Sequence, residues 1–368
     1  MAERVVLHIG TMKSGTSFVQ SALASNAAVL DAAGGRYLGE TFGRQAKAVR
    51  DVFRRPTRPR RHQRWHALAR EARAFDGDAG VVSMEFLSFA QDDQLAPFLE
   101  PLAGARVEVV LTVRDQFRAI PAQWQTYTRN FGTDDWETYL RRIDGSPFGR
   151  GRRSRAAATF RRAQDAPGIL DRWASDSRVG SVTVVTLPPP GAPRDELWRR
   201  FSEAVRLPIE DAELGEVHEN TSLGYASCDF LRRLNVHVED VRPRFYRKAM
   251  RPLAREALAP LRDSETRPEL DRRGAELAAE LNRRIRDTVT GGGYRLVGSL
   301  DDLPTPDGVE APQRVAPPPP GDVRRAALAV RSCATAALDE ASGPPPADLD
   351  ELVAETARLL RRANRWGL

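Results

Sequence analysis

One lysine near the start of the chain lies in a short run of glycine and hydroxyl residues. The run reads Gly10-Thr11-Met12-Lys13-Ser14-Gly15-Thr16-Ser17. Lysine supplies a full positive charge, the hydroxyl groups supply neutral hydrogen-bond donors, and glycine lets the backbone take positive φ and approach a ligand closely. Residues of these types in one turn can bind a phosphate-like anion. The run therefore predicts an anion-binding loop.

The residues on either side of this run predict the elements that would hold it. Residues 4–9 form a mostly apolar stretch of strand length, and the apolar residues of 18–23 recur at helical spacing. A tight loop between a strand and a helix directs backbone N–H groups and the positive end of the helix dipole at one point. The predicted local structure thus suits the predicted ligand.

Two charged residues follow other predicted strands. Glu85 comes after the strand at 80–83, and Arg114 comes after the strand at 106–113. Ligands of open parallel sheets bind outside the carboxyl ends of the strands, so we expect both residues to lie near the loop. A carboxylate there could accept a proton from a substrate, and a guanidinium could hold an anion. His8, inside the first strand, is predicted to be a hydrogen-bonded core residue.

The order of residues in the loop distinguishes two classes of nucleotide-binding protein. Gly10 and Gly15 have the separation found in G-x-x-x-x-G-K-[ST], but Thr16 stands where that pattern has lysine. The string from Lys13 to Phe18 instead resembles the donor loop of sulfotransferases, which reads close to P-K-S-G-T-T-W. The chain resembles bacterial sulfotransferase-like proteins of the P-loop type over roughly residues 4–300.

This resemblance implies a site for the donor 3′-phosphoadenosine 5′-phosphosulfate (PAPS). Lys13 would bridge the sulfuryl group and the leaving 5′-phosphate, and Glu85 would be the base that accepts the acceptor's proton. Phe18 takes the place of the family's adenine-stacking tryptophan, and Arg114 that of the arginine on the 3′-phosphate. The implied catalytic residues are Lys13 and Glu85, and the implied donor-binding residues are Lys13, Ser14, Gly15, Thr16, Ser17, Phe18 and Arg114.

The chain also departs from the family pattern. Ala122 occupies the position of a serine that usually shares the 3′-phosphate contact, and the Arg-Lys-Gly segment of the cytosolic enzymes has no good match. A catalytically degenerate nucleotide-binding or interaction protein of the same fold is therefore the alternative, followed by a P-loop kinase. Sulfuryl transfer needs no metal, and no metal site is predicted. The acceptor would be a small molecule or carbohydrate bearing a hydroxyl or amine, of unidentified class.

Composition bounds the partners and the compartment. The net charge of +6 rests on arginine, since the only lysines are Lys13, Lys47 and Lys248. We attribute the arginine excess to general composition and predict no nucleic-acid partner. Cys228 and Cys333 lie far apart, which favours a reducing compartment without disulfides. No apolar run approaches the length of a membrane span, so we expect a soluble, cytoplasmic protein.

Predicted strands alternate with helices up to about residue 215, and beyond it the strand signal nearly vanishes and helices are predicted. This order predicts an α/β fold, with a P-loop-type parallel sheet flanked by helices and a mostly helical C-terminal part. We expect an α/β domain at 1–303 with a helical, substrate-side part at about 215–295. A proline-rich linker at 304–321 and a helical extension at 322–368 would follow. The extension could pack onto the domain, form a homo-oligomer or bind a partner.

Overall fold

The computed structural model describes residues 2–53, 62–145, 154–208, 212–214, 222–306, 308, 310–339 and 343–365. The chain divides into two compact units. Unit 1 comprises Met1–Ala119, Arg162–Val217 and Ala278–Asp307, and unit 2 comprises Ile120–Arg161, His218–Leu277 and Gly308–Leu368. The domain boundaries expected from composition stay a prediction.

Unit 1 contains one parallel sheet of six strands. The order across the sheet is β2-β3-β1-β4-β5-β6, and every pairing is parallel. The predicted α/β class is confirmed. The strands are β1 Arg4–His8, β2 Gly35–Tyr37, β3 Ala79–Ser83, β4 Arg106–Val113, β5 Val179–Thr186 and β6 Arg295–Val297.

Helices cover both faces of this sheet. Alternate residues of β1 point to opposite faces, so Val5 and Leu7 join one apolar cluster while Val6 joins the other. Complete burial of such a side chain stabilises the fold by about 1.5–3 kcal/mol. The near-continuous apolar run of β4 has the same cause, because a strand of a doubly covered parallel sheet is buried on both sides.

Fifteen α-helices occur in the described part of the chain. Those up to residue 174 are α1 Thr16–Ser25, α2 Ala27–Ala32, α3 Phe42–Phe53, α4 Gln63–Ala74, α5 Asp92–Leu99, α6 Gln116–Thr128, α7 Trp136–Asp144, α8 Arg155–Gln164 and α9 Ala166–Ala174. The later ones are α10 Glu196–Val205, α11 Tyr225–Val236, α12 Pro243–Leu253, α13 Arg272–Gly291, α14 Pro320–Ala336 and α15 Leu349–Arg365.

Strand β6 was not expected from the sequence. It pairs in parallel with β5, with Leu296 opposite Val184. The weak strand signal after about residue 215 therefore did not reveal this strand. The reason is length, because three residues are too few to show the alternation by which a strand is recognised.

The C-terminal helices belong to the helical core of unit 2. Helices α14 and α15 pack on each other and on α11. The buried guanidinium of Arg331 in α14 forms an ion pair of 2.9 Å with Glu355 in α15, which joins the two helices. Of the three options left open by the sequence, packing within the chain is the one observed. In the described part of the chain, no helix is long and apolar enough to cross a membrane.

Candidate active site

The loop between β1 and α1 makes its turn through two residues with positive φ. Lys13 has a φ of 66° and Gly15, the N-cap of α1, has a φ of 79°. Gly10 is required for a different reason, since a Cβ atom there would lie 2.5 Å from the Thr112 hydroxyl oxygen. The glycines at both ends of the loop thus permit a close turn against the end of β4.

Backbone hydrogen bonds anchor the first half of this loop. The Thr11 N–H donates to the carbonyl of Thr112 at 2.9 Å, and the Met12 N–H donates to the carbonyl of Ala163 at 3.1 Å. The Gln164 side-chain amide donates in return to the Met12 carbonyl at 2.7 Å. The loop is therefore held from β4 on one side and from the last turn of α8 on the other.

The second half of the loop presents backbone donors. Among the described residues, no hydrogen bond engages the N–H groups of Ser14, Gly15 and Thr16. Such groups at a helix N-terminus require an acceptor from outside the helix, and the helix dipole favours a negatively charged one. This half of the loop, with Lys13 at its start, therefore has the donors that an anion needs.

A chain of buried hydrogen bonds lies beneath the loop. The Ser14 hydroxyl donates to the Thr11 carbonyl at 2.6 Å, so at its 2.7 Å contact with Thr112 it must accept. The Thr112 hydroxyl then accepts from His8 Nε2 at 3.1 Å, and His8 Nδ1 accepts from the Ser83 hydroxyl at 2.7 Å. In this arrangement each hydroxyl and each ring nitrogen of the series has a hydrogen-bond partner in the right role. The arrangement assigns His8 the Nε2–H tautomer and confirms it as a satisfied core residue.

His8 makes the stability of the protein depend on pH. Burial lowers the pKa of His8 from 6.5 to about 3, so the unfolded chain takes up this proton before the folded protein does. Between those values the native state therefore loses about 1.4 kcal/mol of stability per pH unit as the pH falls. Urea unfolding at pH 7 and pH 5.5 should show this loss in the wild type and its absence in His8→Asn. His66→Asn, at an exposed histidine, is the control and should retain the loss. An equal fall in the free energy of unfolding from pH 7 to pH 5.5 in all three proteins would show that His8 is not its source.

Arg114 lies at the point where the connections of the sheet diverge. The chain leaves β1 toward β2 and leaves β4 toward β5, on opposite sides, and such a switch point leaves a crevice at the carboxyl ends of the two strands. Arg114 Nη1 donates to the Lys13 carbonyl at 3.1 Å. The following turn is held by Asn282, whose side chain accepts from the Gln116 N–H and donates to Asp115. Arg114 is thus placed directly against the loop.

Glu85 is connected to the loop through α1. It begins a short 3₁₀ turn, Glu85–Phe89, that follows β3, and the Gln20 amide donates to its carboxylate at 2.9 Å. The same amide nitrogen donates to the Ser83 carbonyl at 3.0 Å, so both of its hydrogens are used. The carboxylate is therefore oriented by the helix whose N-terminus forms the loop.

Arg114 contacts the loop directly, Glu85 contacts Gln20 of α1, and the predicted residues have different surroundings. Lys13 and Gly15 are partly exposed, Ser17 is exposed, and the side chains of Ser14 and Thr16 are buried. The Ser14 hydroxyl is already used in the chain beneath the loop, so its backbone N–H is the group it can offer a ligand. Phe18 is half-buried and packs against the core, and its stacking on adenine stays a prediction.

Two positioning residues were missed in the sequence. Asn282 lies some 170 residues from the turn it holds, and no local pattern links them. Gln20 left a signal, since Thr16, Gln20 and Leu23 fall on one face of α1. A polar residue on a buried helix face requires a hydrogen-bond partner, and its partner here is Glu85.

The site has the chemistry of anion binding and proton transfer. It combines one ammonium group, one guanidinium, several backbone donors and one carboxylate. In the described residues, no group of three or more His, Cys, Asp or Glu side chains could hold a metal ion. Comparison of the chain with protein-family models, curated proteins and solved structures gives no match. The function is therefore argued from the site.

Proposed function

We propose that the protein is a sulfotransferase that moves a sulfuryl group from PAPS to a hydroxyl or amine of a small-molecule or carbohydrate acceptor. The observation that carries this proposal is the loop itself. Lys13 lies in a positive-φ turn at the N-terminus of α1, and its own carbonyl holds Arg114. Two cationic groups and several backbone N–H groups lie at the carboxyl ends of β1 and β4. This arrangement suits PAPS, whose nucleoside carries phosphate groups at its 3′ and 5′ positions.

The proposed reaction uses three groups of the chain. The S–O bond to the 5′-phosphate breaks while an S–O bond to the acceptor forms, and 3′-phosphoadenosine 5′-phosphate (PAP) is released. Lys13 and the loop N–H groups stabilise the charge that develops on the leaving phosphate. Glu85 accepts the proton of the acceptor, so the product carries a sulfate ester or sulfamate. Arg114 binds the 3′-phosphate and takes no part in the bond exchange.

Two alternative functions would require different residues or a different outcome of nucleotide binding. A P-loop kinase would use a lysine directly after the second glycine and a magnesium ion, but Thr16 stands at that position. A degenerate relative would bind the nucleotide without catalysing transfer. Ala122 favours this alternative, because a serine usually shares the 3′-phosphate contact at that position.

Calorimetric titration with PAP and with ATP–Mg²⁺ separates the three functions. We expect PAP to bind at least about tenfold more tightly than ATP–Mg²⁺, which corresponds to 1.4 kcal/mol or more. A screen for PAPS consumption over hydroxyl and amine acceptors then tests catalysis. Preference for ATP–Mg²⁺ would overturn the proposal in favour of a kinase, and PAP binding without transfer to any acceptor would favour the degenerate relative.

A further inference from the structure

A second cationic group lies beside the turn that begins with Glu85. The guanidinium carbon of Arg162, in the last turn of α8, lies 4.4 Å from the centre of the Phe89 ring at the end of that turn. A five-residue 3₁₀ turn is only about 8 Å long, so Phe89 and Glu85 are close along the chain and in space. Arg162 therefore lies against the end of the turn that begins with the proposed base, in the same unit.

Stacking on an aromatic ring holds a guanidinium without neutralising it. The planar group uses its face for the ring and keeps its N–H edge for hydrogen bonds to a carboxylate, sulfate or phosphate. A neighbouring pair repeats the arrangement, since Arg50 lies over Phe86 at 5.1 Å and the two phenylalanine rings are 5.8 Å apart. The Glu85–Phe89 turn thus carries two stacked guanidinium groups.

The charge of Arg162 is not balanced within the described part of the chain. No carboxylate there forms an ion pair with it, and partial burial alone lowers its pKa, although much of the side chain remains exposed. Arg178 is the ordinary case, because its hydrogen bond to Asp176 raises its pKa. Arg162 therefore keeps an exposed N–H edge that an external anion can reach.

The position of Arg162 distinguishes between two sources of that anion. Its neighbours Ala163 and Gln164 bind the Met12 backbone, and Gln164 also accepts from Gln116 Nε2 at 3.4 Å, after β4. The Arg162 guanidinium itself lies on Phe89, in the turn after β3. Arg114 follows β4, on the other side of β1. The β3 side also carries the base that must meet the acceptor, whereas the donor's phosphates are assigned to Lys13, the loop N–H groups and Arg114.

We propose that Arg162, stacked on Phe89, binds an anionic group of the acceptor at the end of the turn that begins with Glu85. The acceptor class is then a molecule with a carboxylate, sulfate or phosphate near the reacting hydroxyl or amine. This assignment of the anion to the acceptor rests on the proposed function. The existence of an anion site at Arg162 does not.

Titration with sodium sulfate tests both parts of this inference. The probe is the arginine Nε–H NMR signal of Arg162 in the full chain, with sodium chloride at equal ionic strength as the reference. We expect a saturable shift that is retained when PAP is present at saturating concentration. With PAP saturating the loop, calorimetric sulfate affinity should fall about tenfold or more in Arg162→Ala, less in Arg162→Lys, and not at all in the control Arg178→Ala.

Each outcome decides a separate point. Without a sulfate-dependent shift at Arg162, there is no anion site. If PAP displaces sulfate from Arg162, the donor uses this arginine and the assignment to the acceptor is overturned. If PAP does not bind at all, the proposed function fails, while the sulfate titration still decides whether Arg162 is an anion site. Folding of the variants is checked by thermal unfolding.

Discussion

Lys13→Ala is expected to lower the rate of sulfuryl transfer by about 10²–10³-fold, the effect of removing one preorganised group that stabilises developing charge. The Lys13 ammonium is the one full charge within the loop, and in the proposed reaction the bond to the leaving phosphate breaks at the loop. An interaction that strengthens in the transition state affects kcat more than binding, so the affinity for PAP should fall by a smaller factor. Steady-state kinetics with PAPS and calorimetry with PAP measure the two effects.

Lys47→Ala is the matched control for this variant. Lys47 is an exposed lysine on α3, and the substitution removes the same number of atoms and the same charge. It should leave both transfer and PAP binding unchanged, which separates the local role of Lys13 from a general loss of positive charge. Equal activity of Lys13→Ala and the wild type would show that the loop is not the donor site.

Glu85→Gln is expected to lower kcat by about 10²–10⁴-fold, the usual contribution of a general base. Glutamine has nearly the same shape, and its side-chain oxygen can still accept the hydrogen bond from Gln20, so the turn should be retained. It cannot accept the acceptor's proton. The affinity for PAP should be unchanged, because the proposed donor contacts lie on the loop and on Arg114.

The control for this variant is Glu40→Gln, at a glutamate whose side chain is 76% exposed. It should behave as the wild type in both measurements. A Glu85→Gln protein that binds PAP normally and transfers sulfate at the wild-type rate would remove Glu85 from the mechanism. A protein that loses PAP binding as well would indicate that Glu85 supports the loop, through Gln20, and is not the base.

Local patterns were sufficient for the elements that carry the site. Residues 4–9 and 18–23 predicted a strand and a helix, and the strand and helix observed are Arg4–His8 and Thr16–Ser25. The sequence predicted β4 over residues 106–113, directly before Arg114, and the strand observed is Arg106–Val113. These predictions succeed because hydrophobic periodicity and glycine positions act over a few residues, and buried packing reinforces the same local preferences.

Contacts between distant parts of the chain could not be predicted in this way. Gln20 and Glu85 are 65 residues apart, and Asp115 and Asn282 are 167 apart. Each contact depends on which strands are neighbours and on the rotation of a helix about its axis, and neither quantity is encoded within one segment. Arg162 and Phe89 meet for the same reason, so one arginine among many could not be singled out from its sequence context.

By itself, the sequence determined the class of the fold and the presence of a glycine-containing turn that carries Lys13, because both depend on residue types at short spacing. Only the tertiary structure decided the order of the strands, and with it which strand ends meet. That order holds Arg114 against the loop, turns the Glu85 carboxylate to Gln20, and fixes the direction of the hydrogen bonds through His8. Through-space packing makes these choices, since each buried polar group must find its partner wherever the fold places one.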